Sequence, residues 1–584
     1  MKNHQSSAND DESAKVEDVP VLISGCGPVG MTMSILLSRQ GIKNLIVEKR
    51  ERVSTLPRAR GITARTVEIF SQFGLSPQID AMSLPPLWTR NFIYTETLAG
   101  EIIGVMPSNA MAPGASAAYT PCDYKVAAQD RIDPMLYACA TGFEQAEVRF
   151  NNEVADFSDE GESVVTTIRK SDGTLYKVRS RFLVAADGAK SALKRMAGIG
   201  EAGRENLRSF VNNHILADLS QFTKGREATL LWTLKPGLEG VFQPLDGDRK
   251  WAVQIQFDPE NDTPEAWTDE RIVTTLRAMI GDPAADKVAF EILKTYTYTL
   301  SAMISKQLYK GRLLLVGDAA HQIPPYGGFG MNTGVQTAHN LAWKLGAILR
   351  GEAPMALLDT FDSERREVAA RVCEFGRTNA GYIEKLMGAV RAASSIEEKR
   401  RLVAQTTQYG NWLGLDIGVH YEGPGAFVPD DAPLPRVDDP VVDFVPHAKP
   451  GHRAPHLWVR RGTERISTIM LFEGNFVLLA GAKGSAWIDA ARRVSDRSGP
   501  PIEALRVAAD GDLIPESDFC ELYGITPAGA VLVRPDGHVA YRSRALGEDP
   551  YAALENAMAE VLQRSNHVRI KTDQAQGARI QAQT

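Results

Sequence analysis

Val21-Leu-Ile-Ser24, then Gly25-Cys-Gly27-Pro28-Val29-Gly30, then Met31–Arg39, and finally Leu45-Ile-Val-Glu48 are the residues that decide this fold. The first apolar run has the length of a buried strand, and the residues after the glycines recur at helical spacing until Gly41 stops them. A second short apolar run follows, which completes a βαβ unit opening a doubly wound parallel sheet. Each glycine has a separate task. Gly25 permits the tight turn, Gly27 lets the backbone approach a pyrophosphate, and Gly30 lets helix and strand pack closely. Pro28 and Val29 begin the helix, whose N-terminus faces the anion. Glu48, followed by Lys49, ends the second strand, where a carboxylate suits a ribose 2′-OH and repels a 2′-phosphate. The same glycine pattern recurs at Gly198-Ile-Gly200-Glu-Ala-Gly203. No strand precedes it, so it reads as a helix-ending loop.

Two later segments extend this site. A strand over Lys177–Val184 delivers Asp187-Gly188. A buried strand, Leu313-Leu-Leu-Val316, runs into Gly317-Asp318-Ala-Ala-His321. Pro324-Pro325-Tyr326-Gly327-Gly328-Phe329-Gly330 then lays bare backbone before a helix that begins at Met331-Asn332 and reaches Arg350. Asp318 is placed to hold ribitol hydroxyls. A helix start carries roughly +0.5 charge, and at the N1/C2=O edge of a flavin it would stabilise the reduced anion. The three segments together describe a site for FAD, from adenine to isoalloxazine. His321 reads as a packed or capping histidine rather than a base.

With 584 residues the chain has room for about three domains. A net charge of −7 provides no basic field for nucleic acid or anionic lipid. No apolar run approaches the ~18 residues of a membrane span. The five cysteines are scattered without a CxxC pair, which fits a reducing compartment and offers no zinc site. The polar, acidic residues 1–18 lack the apolar core of a signal peptide. A cytoplasmic location is expected.

The domain reading follows these textures. Residues 1–18 form a disordered tail. Residues 19–82, 119–205 and 301–390 form a discontinuous Rossmann-like FAD-binding domain with a helix near 129–140. Residues 83–118 and 206–300 form a β-sheet substrate domain, with strands at Val211–Leu219, Thr229–Leu234 and Trp251–Phe257. Residues 391–449 form a helical segment and a Pro-rich linker. Residues 450–570 alternate as a compact α/β module with strands at Ile469–Phe472, Val477–Ala480 and Ala530–Val533. A second tail, 571–584, ends the chain.

Glycine turn, Asp-Gly and Gly-Asp, in that order over about residues 20–385, resemble the group A flavoprotein aromatic hydroxylases. The stretch from Pro450-Gly-His-Arg-Ala-Pro-His456 through Val533-Arg-Pro-Asp-Gly-His-Val-Ala-Tyr-Arg542 resembles the C-terminal domain of the phenol and polyketide hydroxylases, which has a thioredoxin-like fold without redox cysteines. The resemblance implies NADPH or NADH as a transient reductant, O2 as co-substrate, a C4a-hydroperoxyflavin as the oxidant, and a homodimer. It places Arg58 near the FAD phosphates, has Gln129 contacting the cofactor, and ties Asp187 and Gly188 to both nucleotides. Gly327, Gly330, Met331 and Asn332 would lie against the flavin. A small aromatic substrate would meet Trp232, Phe242 and Gln254 on the sheet, with His214, Arg60 and Pro325 as candidates for the chemistry. Trp232 and Phe242 also suit a core. Arg60 stands where phenol hydroxylases carry an aspartate, so a carboxylate base is not expected here. Baeyer–Villiger oxygenation of a ketone is an alternative within flavin chemistry, and a non-catalytic thioredoxin-like binding module is one outside it.

Overall fold

The computed structural model describes residues 16–205, 208–405 and 410–564. Most of the two expected tails, residues 1–15 and 571–584, lies outside that range. Residues 17 and 18 do not belong to a tail. They start the strand Glu17–Ser24, and Arg149 grips Glu17 with two bonds of 2.7 and 2.8 Å.

The first sheet places five parallel strands side by side in the order Leu313–Leu315, Leu175–Ala185, Glu17–Ser24, Asn44–Glu48 and Ala146–Phe150. Their C-terminal ends are nearly flush, with Leu315 opposite Ala185, Ala185 opposite Ser24 and Ser24 opposite Val47. The C-terminal runs 21–24 and 182–185 and the whole of Asn44–Glu48 are buried, as the unbroken apolar runs require. The glycine-turn helix Pro28–Arg39 and the long helix Phe329–Leu349 pack together on this sheet. Gly198 ends a helix at φ +64°, but Glu201–Arg204 beyond it is a strand paired with Ala302–Ser305. The second glycine pattern is therefore only half a loop.

The second sheet has seven strands in the order Glu291–Thr299, Ser209–Leu216, Lys250–Phe257, Gly240–Pro244, Leu230–Thr233, Asn91–Thr95 and Ile102–Pro107. Segments separated by more than 100 residues of chain thus share one sheet. The helix Asp269–Ile280 packs against one of its faces, because a side chain at Gly240 would come within 2.7 Å of Met279.

The C-terminal region builds a four-stranded sheet in the order Ile502–Arg506, Phe476–Ala480, Ala530–Val533 and Val539–Ser543, with helices Ser485–Ser498 and Pro550–Val561. The strand expected over Ile469–Phe472 is instead a 3-10 turn, Thr468–Leu471. Ser467 Oγ accepts the amide of Ile469 at 3.2 Å and winds the backbone there.

Buried charges lock this region to the rest. Arg534 donates to Glu364 and Asp536, Lys344 donates to Glu364 at 2.7 Å, and Asn340 reaches both Glu364 and Asp536. Arg453 and Arg65 share Glu68, and Arg65 also donates to the Asp536 carbonyl. Burial pushes the Glu364 carboxyl up, but the Arg534 and Lys344 charges outweigh it and bring its pKa down to about 2.

Candidate functional site

Parallel strands bring the expected residues together. Because the strands end flush, Gly317-Asp318, Asp187-Gly188, the glycine turn and Glu48 emerge in that order along one edge of the sheet. At ~4.8 Å per strand, they span about 14 Å. Gly25 has φ +109°, and a Cβ there would lie 2.3 Å from the Ala186 carbonyl oxygen. A Cβ on Gly30 would lie 2.1 Å from the Gly25 carbonyl oxygen. Gly27 is different: a Cβ there would meet no atom within 4 Å. Its open side, beside a helix start with no side-chain cap and no acidic residue in its first turn, fits a pyrophosphate. Glu48 is buried, and its two oxygens accept the amides of Cys26 and Arg50 at 2.9 and 3.0 Å. Lys49 points to solvent.

Asp318 is open to solvent yet ringed by protein, the condition of a group within a deep cleft. Burial raises its pKa and the Arg58 charge opposes the rise. Arg58 is exposed in the same cleft, and its charge is felt at Tyr296 and Asp133 as well. The helix Phe329–Leu349 starts from Gly328 in the left-handed region at φ +74°, with no capping side chain and no acidic residue in its first turn. The first amides of that helix, at Phe329, Gly330 and Met331, are thus left for a ligand. Gly327, at φ +114°, leaves room for Phe375, which a Cβ would approach to 2.7 Å. Asn332 is tied into the protein by its side chain. Its side chain accepts from Thr63 N and donates to the carbonyls of Gly61 and Gly328. Pro325 is exposed at the turn.

Gln129 caps this arrangement from the helix Gln129–Thr141, accepting the Ala59 amide at 3.3 Å and donating to Asp133 at 3.1 Å. Burial raises the Asp133 carboxyl to about 7, against the Gln129 hydrogen bond and the Arg58 charge. Asp187 accepts the Leu193 amide with one oxygen, while the other is buried without a partner. Lys194, buried, pairs with Glu201. His321 is 1% exposed and bonded to Thr337, and burial lowers it to about 3; it is a packed neutral histidine.

The seven-stranded sheet divides the remaining candidates by parity. Trp232, Gln254 and His214 share one face. Phe242 lies on the other, fully buried on the side of Gly240 and the helix Asp269–Ile280. It is a core residue and is withdrawn as a substrate contact. His214 Nε2 is buried without a protein partner. Burial lowers the pKa of the ring, Asp130 opposes that, and Lys250 adds to it. Arg60 donates to the carbonyls of Pro244 and Thr229 at 3.0 and 3.2 Å, tying the cofactor loop to the sheet. Those two bonds anchor its guanidinium between the loop and the sheet.

Sequence reading missed Asp133, Gly334 and the partners of His214 on the sheet. Gly334 had a visible signal, a glycine inside a long helix. A Cβ there would lie 2.6 Å from Val29 and 3.0 Å from Gly317 Cα, so its absence seats the long helix on the glycine turn. Asp133 had no signal beyond a charge within an apolar helix.

Residues 18–376 match the family model described as an FAD binding domain, and residues 447–565 match that of the aromatic-ring hydroxylase C-terminal domain. A 4-methyl-5-nitrocatechol 5-monooxygenase from Burkholderia sp. is 35% identical over 556 residues, covering 93% of this chain and 98% of its own. The flavin-dependent monooxygenase PieE, solved with FAD and substrate, superposes with a TM-score of 0.86 at 30% identity, over 94% of this chain and 99% of its own. An aklavinone-11 hydroxylase, solved with FAD and aklavinone, superposes with a TM-score of 0.79 at 31% identity, over 94% of this chain and all of its own. Among the described residues no helix is long and apolar enough to cross a membrane.

Proposed function

The chain belongs to the FAD-dependent aromatic-ring hydroxylases, and from that membership we propose a single-component monooxygenase that uses NAD(P)H and O2 to hydroxylate a phenol-type aromatic ring. The observation that carries this reading is the single cleft on which Gly27, Asp318, Arg58 and the uncapped helix start converge. The Arg58 charge is also felt at Tyr296 of the seven-stranded sheet, which carries buried polar groups without a protein partner.

Bound FAD would accept hydride from NAD(P)H and supply activated oxygen to the arene. The residues of this chain do the rest. Gly27 and the helix behind it hold the pyrophosphate, Glu48 the adenosine ribose, and Asp318 the ribitol hydroxyls. Arg58 offsets the phosphate charge and opposes the burial-driven rise in the Asp318 pKa. The first amides of the helix Phe329–Leu349 face negative charge on the pyrimidine edge. Phe329, Phe375 and Trp412, whose rings meet edge to face, line the approach and exclude water. His214 is kept neutral by burial, so near pH 7 it is able to accept a phenolic proton at Nε2. An electron-rich phenolate attacks electrophilic oxygen more readily than a phenol does. The free cysteines, three of them buried, suit a reducing cytoplasm.

A panel of phenols tests this reading. A substrate should accelerate flavin reduction by NAD(P)H and give a product bearing one oxygen atom from 18O2 on a ring carbon. Incorporation beside a carbonyl, as an ester, would establish Baeyer–Villiger chemistry instead. Peroxide as the sole product with every aromatic tested would refute the proposal.

A further inference from the structure

We infer that a second small-molecule site lies at the junction between the cofactor domain and the C-terminal region. It is shaped for a neutral aromatic ketone or ester, and its occupant clamps the two together.

A cavity of about 620 Å³ opens at that junction. One side is the last turn of the helix Pro28–Arg39 and the second half of the helix Phe329–Leu349, beginning at His339. The other side is the turn at Glu473, Gly474 and Asn475, with Phe476 and Pro500 behind it. Both helices start at the cofactor site and reach the cavity with their far ends. At 1.5 Å per residue, His339 stands about 15 Å along its helix from Phe329. No residue assigned to the cofactor or to the arene lines the cavity.

The walls set the chemistry of the occupant. Phe73, Phe143, Trp343 and Phe476 bring aromatic rings to it, and Trp343 meets Phe476 edge to face at 5.7 Å. A flat aromatic ligand gains most from such walls. The charges on the wall cancel. Arg39 pairs with Glu473 at 2.9 Å and Arg350 with Glu352 at 3.0 Å, while burial lowers the His339 pKa to about 3 and keeps that ring neutral. A charged ligand finds no unmatched opposite charge here, so the site favours a neutral one.

One donor of the wall is left over. Trp343 is 3% exposed, and its Nε1 is buried without a protein partner. The amides beside it are already engaged. Gln40 donates to the carbonyls of Leu36 and Ala342, and Gln72 donates to that of Phe472. An indole N–H only donates, and a buried donor left unbonded forfeits its hydration. An occupant with a carbonyl oxygen completes it. The Arg534 guanidinium lies 5.3 Å from the centroid of the same indole, so the cavity adjoins the ionic lock. Because its walls come from both sides, a ligand binds only while the C-terminal region is docked, and mass action then holds the region there.

Benzophenone on the FAD-loaded enzyme is the test, because it is neutral, has a ring on each side of one carbonyl, and labels its own site. Under near-ultraviolet light the excited carbonyl oxygen takes a hydrogen atom from a neighbouring C–H. The two carbons then join, which adds the whole molecule. Peptide mass spectrometry should find the label on peptides carrying Phe73, Trp343 or Phe476. Asn475→Trp, at an exposed position on the rim, should abolish that label. Trp343→Phe should raise the half-saturating concentration about three- to tenfold. 4-Benzoylbenzoate, the same label with a carboxylate, should need roughly tenfold more than benzophenone. In the dark, benzophenone at ten times its half-saturating concentration should slow proteolytic release of the C-terminal region about tenfold. Label confined to other peptides, or junction label indifferent to both variants, would overturn the site. Equal or stronger labelling by 4-benzoylbenzoate would overturn its neutral class, and unchanged proteolytic release would overturn the clamp. None of these readouts depends on hydroxylation, so the proposed function stands or falls separately.

Discussion

Replacing Gly27 by alanine separates cofactor binding from folding. The residue sits at φ −87° and ψ 179°, extended backbone that alanine adopts without strain. A Cβ there would meet no protein atom within 4 Å; alanine is the poorer helix N-cap, at a cost of about 1 kcal/mol, but its lower unfolded-chain entropy returns about 0.4–1 kcal/mol. The FAD-free variant should therefore melt within about 1 °C of wild type. The added methyl would occupy the space assigned to the pyrophosphate and displace it from one or two backbone amides. Hydrogen bonds to a charged group contribute about 1.5–3 kcal/mol each, so the loss is about 3 kcal/mol, or FAD binding weakened roughly 100-fold. Flavin fluorescence quenching on titration into the stripped protein gives the Kd, and scanning fluorimetry of the same sample gives the melting point. Gly30→Ala is the control, because its Cβ would lie 2.1 Å from the Gly25 carbonyl oxygen and should destabilise the FAD-free protein itself. Wild-type FAD affinity in Gly27→Ala, or a stability loss equal to that of Gly30→Ala, would refute the reasoning.

Other perturbations address the remaining parts. His214→Gln should keep FAD bound while lowering hydroxylated product per NAD(P)H at least tenfold, measured by chromatography of the products. Asp133 has a carboxyl raised to about 7 in the folded protein, above its unfolded value of about 3.9. Its contribution is therefore present at low pH and lost as pH rises through 7, so Asp133→Asn should stabilise the FAD-free protein at pH 8, by up to about 4 kcal/mol, and little at pH 4. Thermal melts at the two pH values check the sign. Arg534→Met leaves Glu364 and Asp536 buried with one cation fewer, at a cost of about 3–5 kcal/mol, and limited proteolysis should then release the C-terminal region well before the wild type is cut. Glu364, held down to about 2, contributes stability in full above its unfolded value near pH 4.5. That contribution is lost as pH falls toward 2, so acid should loosen the same junction.

The cofactor half of the site was legible because its signals are local. Gly25 and Gly30 each answer a steric demand within the protein that only glycine meets, Gly27 leaves its side open for a ligand, and Asp318 follows a strand too apolar to be anything but buried. The substrate half was only partly legible. Trp232 and Phe242 lie on neighbouring strands, and only the register that sets Leu231 opposite Phe242 puts the two on different faces; the sheet itself is completed by strands more than 100 residues away. Of the two readings open for Phe242, substrate contact or core, its full burial leaves the core. Asn212 and Tyr94 gave no signal, because a polar residue in a strand reads as solvent-facing until the sheet is closed around it. Arg60 was read from the position of an aspartate in related enzymes, and its work as a clamp on Pro244 and Thr229 depends on loop geometry. Ile469–Phe472 has strand composition, and one serine hydroxyl turns it into a 3-10 turn. The ionic lock around Asp536 was hidden for a further reason. Its members, Arg65, Glu68, Asn340, Lys344, Glu364, Arg453 and Arg534, come from distant segments, and charge in a sequence carries no mark of burial.

The most direct measurement is the number of FAD molecules released per chain when the purified protein is denatured, alongside its visible spectrum before denaturation. One FAD per chain with a flavin spectrum is the expected result. A colourless protein that takes up no added FAD, with its fold verified by circular dichroism, would contradict the account at its root.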